Sequence, residues 1–205
     1  MLFRSAPPPA DPPLPPGDPG EPIIGDYFPV KQGYIWYYKD SVSGEDFNIN
    51  IQGQEMIRGH NAWNMQRTRT NISHDKDLIS LDEQNGVLVH YRWVRENEMD
   101  MAPPVKFLEW KVKVGEVYET EPSQLNPATG NTTKWRSKVE AIEDVTVPAG
   151  TFSCVKVRLI VRDSKLGTKF ADVEMWYGKG VGLVTRRGQF FGVYLVEQLL
   201  KYELN

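Results

Sequence analysis

The sequence has little of what covalent and metal chemistry needs. Its 205 residues include one cysteine, Cys154, and three histidines, His60, His74 and His90. One thiol closes no internal disulfide and builds no thiolate zinc cage. No two histidines have metal-ligand spacing, so no metal site is expected. No Gly-x-Ser-x-Gly nucleophile motif occurs. No apolar run reaches 18 residues, which excludes a transmembrane helix from the expectations. Basic clusters are missing too: the formal net charge is −3 and no group of five or more lysines and arginines occurs. Nucleic acid is therefore not an expected partner, and neither is an anionic membrane surface. The opening Met1–Ala6 is too short for a secretory signal with its apolar core. The chain thus reads either as cytoplasmic or as a mature or shortened form of an exported protein.

Proline is abundant but segregated. Nine of the 15 prolines fall in the first 22 residues. Proline fixes φ and removes backbone donors, so residues 1–26 read as a disordered, extended, partly polyproline II leader. Such a segment serves as a spacer from an anchor, as a ligand for an aromatic-lined groove, or simply as a disordered end.

From Tyr27 to residue 205 the pattern becomes alternation of period two with turn signals at short spacing. Phe47, Ile49 and Ile51 alternate with Asn48, Asn50 and Gln52. Val87, Val89, Tyr91 and Trp93 share one parity after Asn85-Gly86, a pair that favours a type I′ hairpin. Val155, Val157, Leu159 and Val161 alternate with Lys156 and Arg158, and Val173, Met175 and Tyr177 with Asp172 and Glu174. Near the end Val196, Leu200, Tyr202 and Leu204 oppose Glu197, Lys201 and Glu203. A short helix over Leu195–Leu200 competes there, but the alternation favours strand. No 12-residue segment carries a helical stripe. The expected fold is all-β: one domain of antiparallel strands in a strongly twisted sheet that forms a barrel or sandwich. Val30-Lys31-Gln32-Gly33-Tyr34-Ile35-Trp36-Tyr37 is echoed by Val112-Lys113-Val114-Gly115-Glu116-Val117-Tyr118. Two related half-sheets and coincidence of a common turn-and-strand pattern both account for that echo.

Three motifs resemble those of a family of uncharacterised bacterial exported proteins and lipoproteins. Tyr27-Phe28-Pro29-Val30-Lys31-Gln32-Gly33-Tyr34-Ile35-Trp36 is similar to its Tyr-Phe-Pro-x-Lys-x-Gly-x-x-Trp opening. Val147-Pro148-Ala149-Gly150-Thr151-Phe152 resembles its Val-Pro-Ala-Gly-Thr-Phe hairpin. Trp176-Tyr177-Gly178-Lys179-Gly180-Val181-Gly182-Leu183-Val184 resembles its closing motif. The resemblance implies a β-rich domain in the bacterial cell envelope, in the periplasm or on the outer surface, often lipid-anchored behind a flexible spacer. It supplies no catalytic residue, and this sequence lacks the signal and the lipidation cysteine of the pattern. Gly33, Trp36, Pro148, Gly150, Gly180 and Gly182 read as structural motif positions. A phosphate cradle at the glycines would need a following helix, and Leu183-Val184-Thr185-Arg186 does not open one.

No cofactor and no catalytic residue is expected. His60 and His74 read as loop residues, His90 as a sheet-surface residue, and Cys154 as a buried small residue. Asp75, Asp77, Asp82 and Glu83 do not meet the calcium-loop pattern. The six tryptophans are spread over separate strands, where they fill a core or line an apolar groove. Trp63, Tyr91 and Trp93 are the candidate ligand-binding residues. The expectation is a non-enzymatic binding or scaffolding protein whose partner is a lipid, a glycan or another envelope protein. A packed structural module and a hydrolase in which His90 or Cys154 meets a carboxylate are the alternatives. Oligomeric state is open.

Overall fold

The computed structural model describes residues 24–69, 75–94, 97–126 and 129–204, with the side chains of Trp93, Val94 and Asn97 outside that description. Most of the proline-rich leader, His74 and the side chain of Trp93 therefore lie outside the described residues. Twelve strands occur among those described: β1 (Ile35–Asp40), β2 (Asp46–Ile57), β3 (His60–Arg69), β4 (Asp75–Asp82), β5 (Gly86–Val94), β6 (Asn97–Leu108), β7 (Val117–Thr120), β8 (Thr133–Val147), β9 (Gly150–Asp163), β10 (Lys169–Gly178), β11 (Gly182–Phe190) and β12 (Val193–Glu203). A single 3-10 turn, Ile24–Asp26, precedes them. No helix among the described residues is long and apolar enough to cross a membrane.

All twelve strands lie in one sheet, ordered β6-β5-β4-β3-β2-β1-β12-β11-β10-β9-β8-β7. Every neighbouring pair is antiparallel, and β1 and β12 join two six-stranded meanders. A twisted sheet this wide curls, and here the outer strands β6 and β7 meet again. Lys106 N donates to Thr120 Oγ1 (3.1 Å), and just beyond β7 Ser123 N donates to Ala102 O (2.7 Å). Ser137 Oγ on β8 donates to Phe107 O (2.6 Å). The all-β antiparallel sheet is thus a nearly closed barrel, which leaves few free edge groups.

The echo between the two meanders extends to their hydrogen bonds. Gly33 N donates to Ile51 O, Ile51 N to Tyr34 O, and Tyr34 N to Lys31 O. Gly115 N donates to Val139 O, Val139 N to Glu116 O, and Glu116 N to Lys113 O. Both glycines have positive φ, 89° and 95°. Each meander is entered by the same turn clasped to its second strand, which favours related half-sheets over coincidence.

The family-like motifs converge on one end. Trp36 Nε1 donates to Val181 O (2.5 Å) and Tyr38 OH to Leu183 O (2.7 Å). Gly180 N donates to Asp26 O (2.6 Å). A Cβ on Gly182 would sit 3.5 Å from Trp36 Nε1 and 3.6 Å from Pro29, at a φ of 93° that favours glycine. The β8–β9 hairpin bends across the sheet so that Ala149 N donates to Leu199 O on β12 (3.1 Å). Ile24 is fully buried and packs with Tyr27 and Phe28 in the main core. Ile24 thus belongs to the core together with the residues from Tyr27 onward. Phe28 lies against Tyr177, ring centroids 5.1 Å apart.

Three local expectations differ from the structure. Asp82 pairs with Gly86 across a three-residue loop in which Gly86 alone has positive φ (69°), so Asn85-Gly86 is not a type I′ turn. The loop is held instead by the Asp82 carboxylate, which accepts from Gln84 N and Asn85 N. In β5 the register shifts between Val89 and Tyr91, so Arg92 rather than Tyr91 continues the inward face of Val87 and Val89. In β12 the buried positions are Leu195, Glu197 and Leu199, the parity opposite to the one expected. Glu197 is buried because two arginines meet it inside the barrel. The terminal segment is strand, not helix.

Candidate functional site: a charged cavity in the barrel mouth

Away from the motif end, the barrel interior opens. A small cavity of about 110 Å³ lies among Ile79, Val89, Phe107, Leu159, Val173 and Met175. It adjoins a larger one of about 820 Å³ at the mouth, and the two share walls formed by Met65, Arg67, Arg92, Trp135 and Arg186. These residues come from four strands, β3, β5, β8 and β11, so closure of the barrel is what assembles the site.

Charge lies on the floor of this mouth. Arg67 on β3 makes two bonds to Glu197 on β12, Nη1–Oε1 2.7 Å and Nη2–Oε2 3.3 Å. Arg186 on β11 binds the same carboxylate, through Nε to Oε2 and through Nη2 to Oε1 at 2.9 Å. Arg92 on β5 grips Asp77 on β4, Nε–Oδ1 2.6 Å and Nη2–Oδ2 3.0 Å. Only 9% of the Arg67 and 3% of the Glu197 side chain is exposed. Burial pushes the Glu197 carboxyl up, but Arg186 and Arg67 outweigh it and hold it down at about 2. Burial depresses the Arg67 guanidinium, and repulsion from Arg186 adds to that. Cations also rest on rings: Arg67 over Phe47 at 4.3 Å and Arg92 over Phe190 at 5.4 Å.

Above the charges stands an aromatic wall. Phe170 stacks on Phe191 (6.1 Å, 7°), and Phe190 and Trp135 pack against Phe191 as well. Phe191 and Gly192 form the two-residue β11–β12 turn with φ of 46° and 84°. Positive φ at both positions is type I′ geometry, in which asparagine, aspartate or glycine is usual and phenylalanine is strained. The ring buries its contact with Phe170 despite that strain. At the rim Arg69 reaches Glu45 and Asp75 (3.8 and 3.9 Å), while its buried Nε has no partner.

Two of the sequence-based candidates, Trp63 and Tyr91, sit elsewhere, and the side chain of Trp93 lies outside the described residues. Trp63 packs, partly buried, at the edge of the second hydrophobic cluster and does not line either cavity. Tyr91 is likewise absent from the walls, and its hydroxyl is pushed up by burial and by Glu98. The backbone of Trp93 pairs with Lys76. Gly33, Trp36, Pro148, Gly150, Gly180 and Gly182 lie at turns and packing contacts, and Trp36 and Gly182 also floor the small cavity. Arg67, Asp77, Arg92, Arg186 and Glu197 do not stand out in the sequence as a site, because a charge on an alternating strand reads as solvent-facing. The available signal was parity: Arg67 continues Trp63 and Met65, and Glu197 stands between Leu195 and Leu199.

The residues considered for catalysis are placed otherwise. Cys154 is fully buried, its thiol pushed up to about 12 by burial together with Asp144 and Glu143. His90 is fully buried rather than exposed on the sheet surface, and is the residue skipped by the β5 register. Its Nε2 is 2.8 Å from Ser80 Oγ, and its Nδ1 has no partner. In a serine–histidine–aspartate triad a third group holds that nitrogen and orients the ring. The nearest ring is His60, 4.8 Å away. No cluster of three metal-ligating side chains occurs among the described residues.

The chain is thus an antiparallel β-barrel packed at one end, with a charged cavity at the other. Residues 94–189 match the model of the DUF3108-like family. That stretch runs from the end of β5 into β11 and includes both the Val147–Phe152 and Trp176–Val184 motifs. No curated protein matches the chain. Two solved structures are similar to it. One is a candidate lipoprotein from Parabacteroides distasonis, 17% identical, covering 86% of this chain and 98% of its own, with a TM-score of 0.44. The other is a candidate exported protein with a YmcC-like fold from Bacteroides fragilis, 13% identical, with the same coverage and a TM-score of 0.45.

Proposed function

We propose that this domain is a non-enzymatic binding protein of the bacterial cell envelope that holds a hydrophobic small molecule in the mouth of its barrel. One observation carries the reading: a cavity of about 820 Å³ in which aromatic and methionine side chains stand beside nine charged residues, most of them in ion pairs. Small-molecule sites are typically about 300–1,000 Å³ and largely apolar, with a few placed polar groups. Among lipid, glycan and envelope protein as partners, a concave mouth with an aromatic and methionine wall beside its charges favours the lipid-like ligand. The envelope location rests on the three sequence motifs, and the proline-rich leader suits a spacer between anchor and barrel.

Native mass spectrometry of the chain, produced in a bacterial periplasm and purified without detergent, tests this. A reproducible adduct released by denaturation is expected, and Met65→Trp, which fills the shared wall, should remove it. A clean apo mass, together with no binding of any added amphiphile, would overturn the reading.

A further inference from the structure

The charges on the cavity floor do not balance. Arg67 and Arg186 share the single carboxylate of Glu197, while Arg92 has Asp77 to itself. Three guanidiniums thus face two carboxylates, a surplus of one positive charge. Three of these side chains, Arg67, Arg186 and Glu197, are nearly buried, with 9%, 16% and 3% exposed. An unbalanced charge in a low-dielectric interior is costly, and the cost falls when an opposite charge arrives. Glu197 is already committed to four guanidinium contacts. The surplus is that of the floor alone: at the rim Asp100 is paired with Arg58, Lys169 with Asp172 at 2.7 Å, Arg69 approaches both Glu45 and Asp75, and Glu98 adds an exposed carboxylate.

We infer that the ligand is an amphiphile bearing one negative charge, its anionic head on Arg67 and Arg186 and its apolar body against the aromatic wall of the mouth. This rests on the binding reading above and names the class of ligand. The planar fork of an arginine suits a carboxylate or a phosphate-type oxyanion, and a head of charge −1 brings the floor to neutrality. The inner cavity, at about 110 Å³, is smaller than the roughly 150 Å³ engineered cavity that accepts benzene. Only a short end of an alkyl chain therefore fits below the arginines. The bulk of the apolar body lies above them, where Trp135, Phe170, Phe190 and Phe191 stand. The strained Phe191 turn fits this arrangement, because it aims a ring at the place where the chain would lie.

The test is isothermal titration calorimetry of the full chain with decanoate, decan-1-ol and decylammonium, each below its aggregation concentration. Decanoate should bind roughly tenfold or more tighter than decan-1-ol, as charge-assisted hydrogen bonds imply, and decylammonium weakest. In Arg186→Met and, separately, Arg67→Met, one arginine remains on Glu197 and the floor is neutral. The ratio of decanoate to decan-1-ol affinity should then fall to within about twofold. Equal affinity for decanoate and decan-1-ol in the unaltered protein would overturn the inference and leave the proposed function standing. Binding of none of the three would sink both. An acid preference undiminished in both variants would also overturn it, because the head would then lie elsewhere.

Discussion

The two ends of the barrel solve opposite problems. The motif end is closed by neutral groups with partners: Trp36 and Tyr38 donate to the carbonyls of Val181 and Leu183, and Gly182 lets Trp36 and Pro29 approach. The mouth keeps two arginines on one carboxylate and a phenylalanine in a left-handed turn. One end spends its residues on a single well-packed arrangement. The other retains unbalanced charge and local strain, which persist only where the surroundings hold them and which cluster at functional sites. The family-like motifs belong to the first kind, so what they specify is packing. The charged residues of the mouth lie outside them.

That contrast can be broken at either end. Trp36→Ala removes a buried indole and its hydrogen bond, and should cost about 3–5 kcal/mol of stability in a urea titration. Glu197→Gln should destabilise by a comparable amount, about 3–5 kcal/mol, by leaving two buried guanidiniums without their counter-ion. If that variant is as stable as the unaltered protein, the floor is not the charge-coupled site described here.

Acid should act on the mouth next. The folded carboxyl of Glu197, at about 2, lies below its ordinary 4.5. A depressed carboxylate contributes stability that is present above the unfolded value and is lost as pH falls toward the folded one. Glu197 thus accounts for on the order of 2–3 kcal/mol lost between about pH 5 and pH 2. His90 adds a loss that starts higher. Burial, with His60 and Arg58, lowers it from 6.5 to about 4, so the unfolded chain takes up a proton that the folded one refuses. Denaturation midpoints followed from pH 7 to pH 2 should fall in this order, and a flat profile below pH 5 would refute the assignment of Glu197.

Phe191→Asn sharpens the comparison because its two effects have opposite signs. Asparagine suits the left-handed position, offsetting the lost ring packing, so stability should change by no more than about 1 kcal/mol. Decanoate affinity should nevertheless weaken several-fold in calorimetry. The smallest effect belongs to the closed end. Native Cys154 should resist a thiol reagent at pH 8 and react only after unfolding, since it is fully buried and its thiol lies near 12.

Alternation alone determined much of this protein. The runs Phe47–Ile51, Val155–Val161 and Val173–Tyr177 have period two, and a chain without helical stripes has only strands with which to bury them. The paired glycine turns at Gly33 and Gly115 were also visible as an echo, because a positive-φ turn demands glycine wherever it recurs. The tertiary structure decided the rest. A single shifted residue in β5 reverses which side chains face inward, and no local sequence rule reveals whether a partner strand will accept such a shift. Arg67, Arg186 and Glu197 look like ordinary solvent-facing charges, since their burial depends on strands 130 residues apart closing on one another. Local pattern fixes what a segment does with its own backbone. Charge balance in an interior is a sum over distant segments, and it exists only once the barrel has closed.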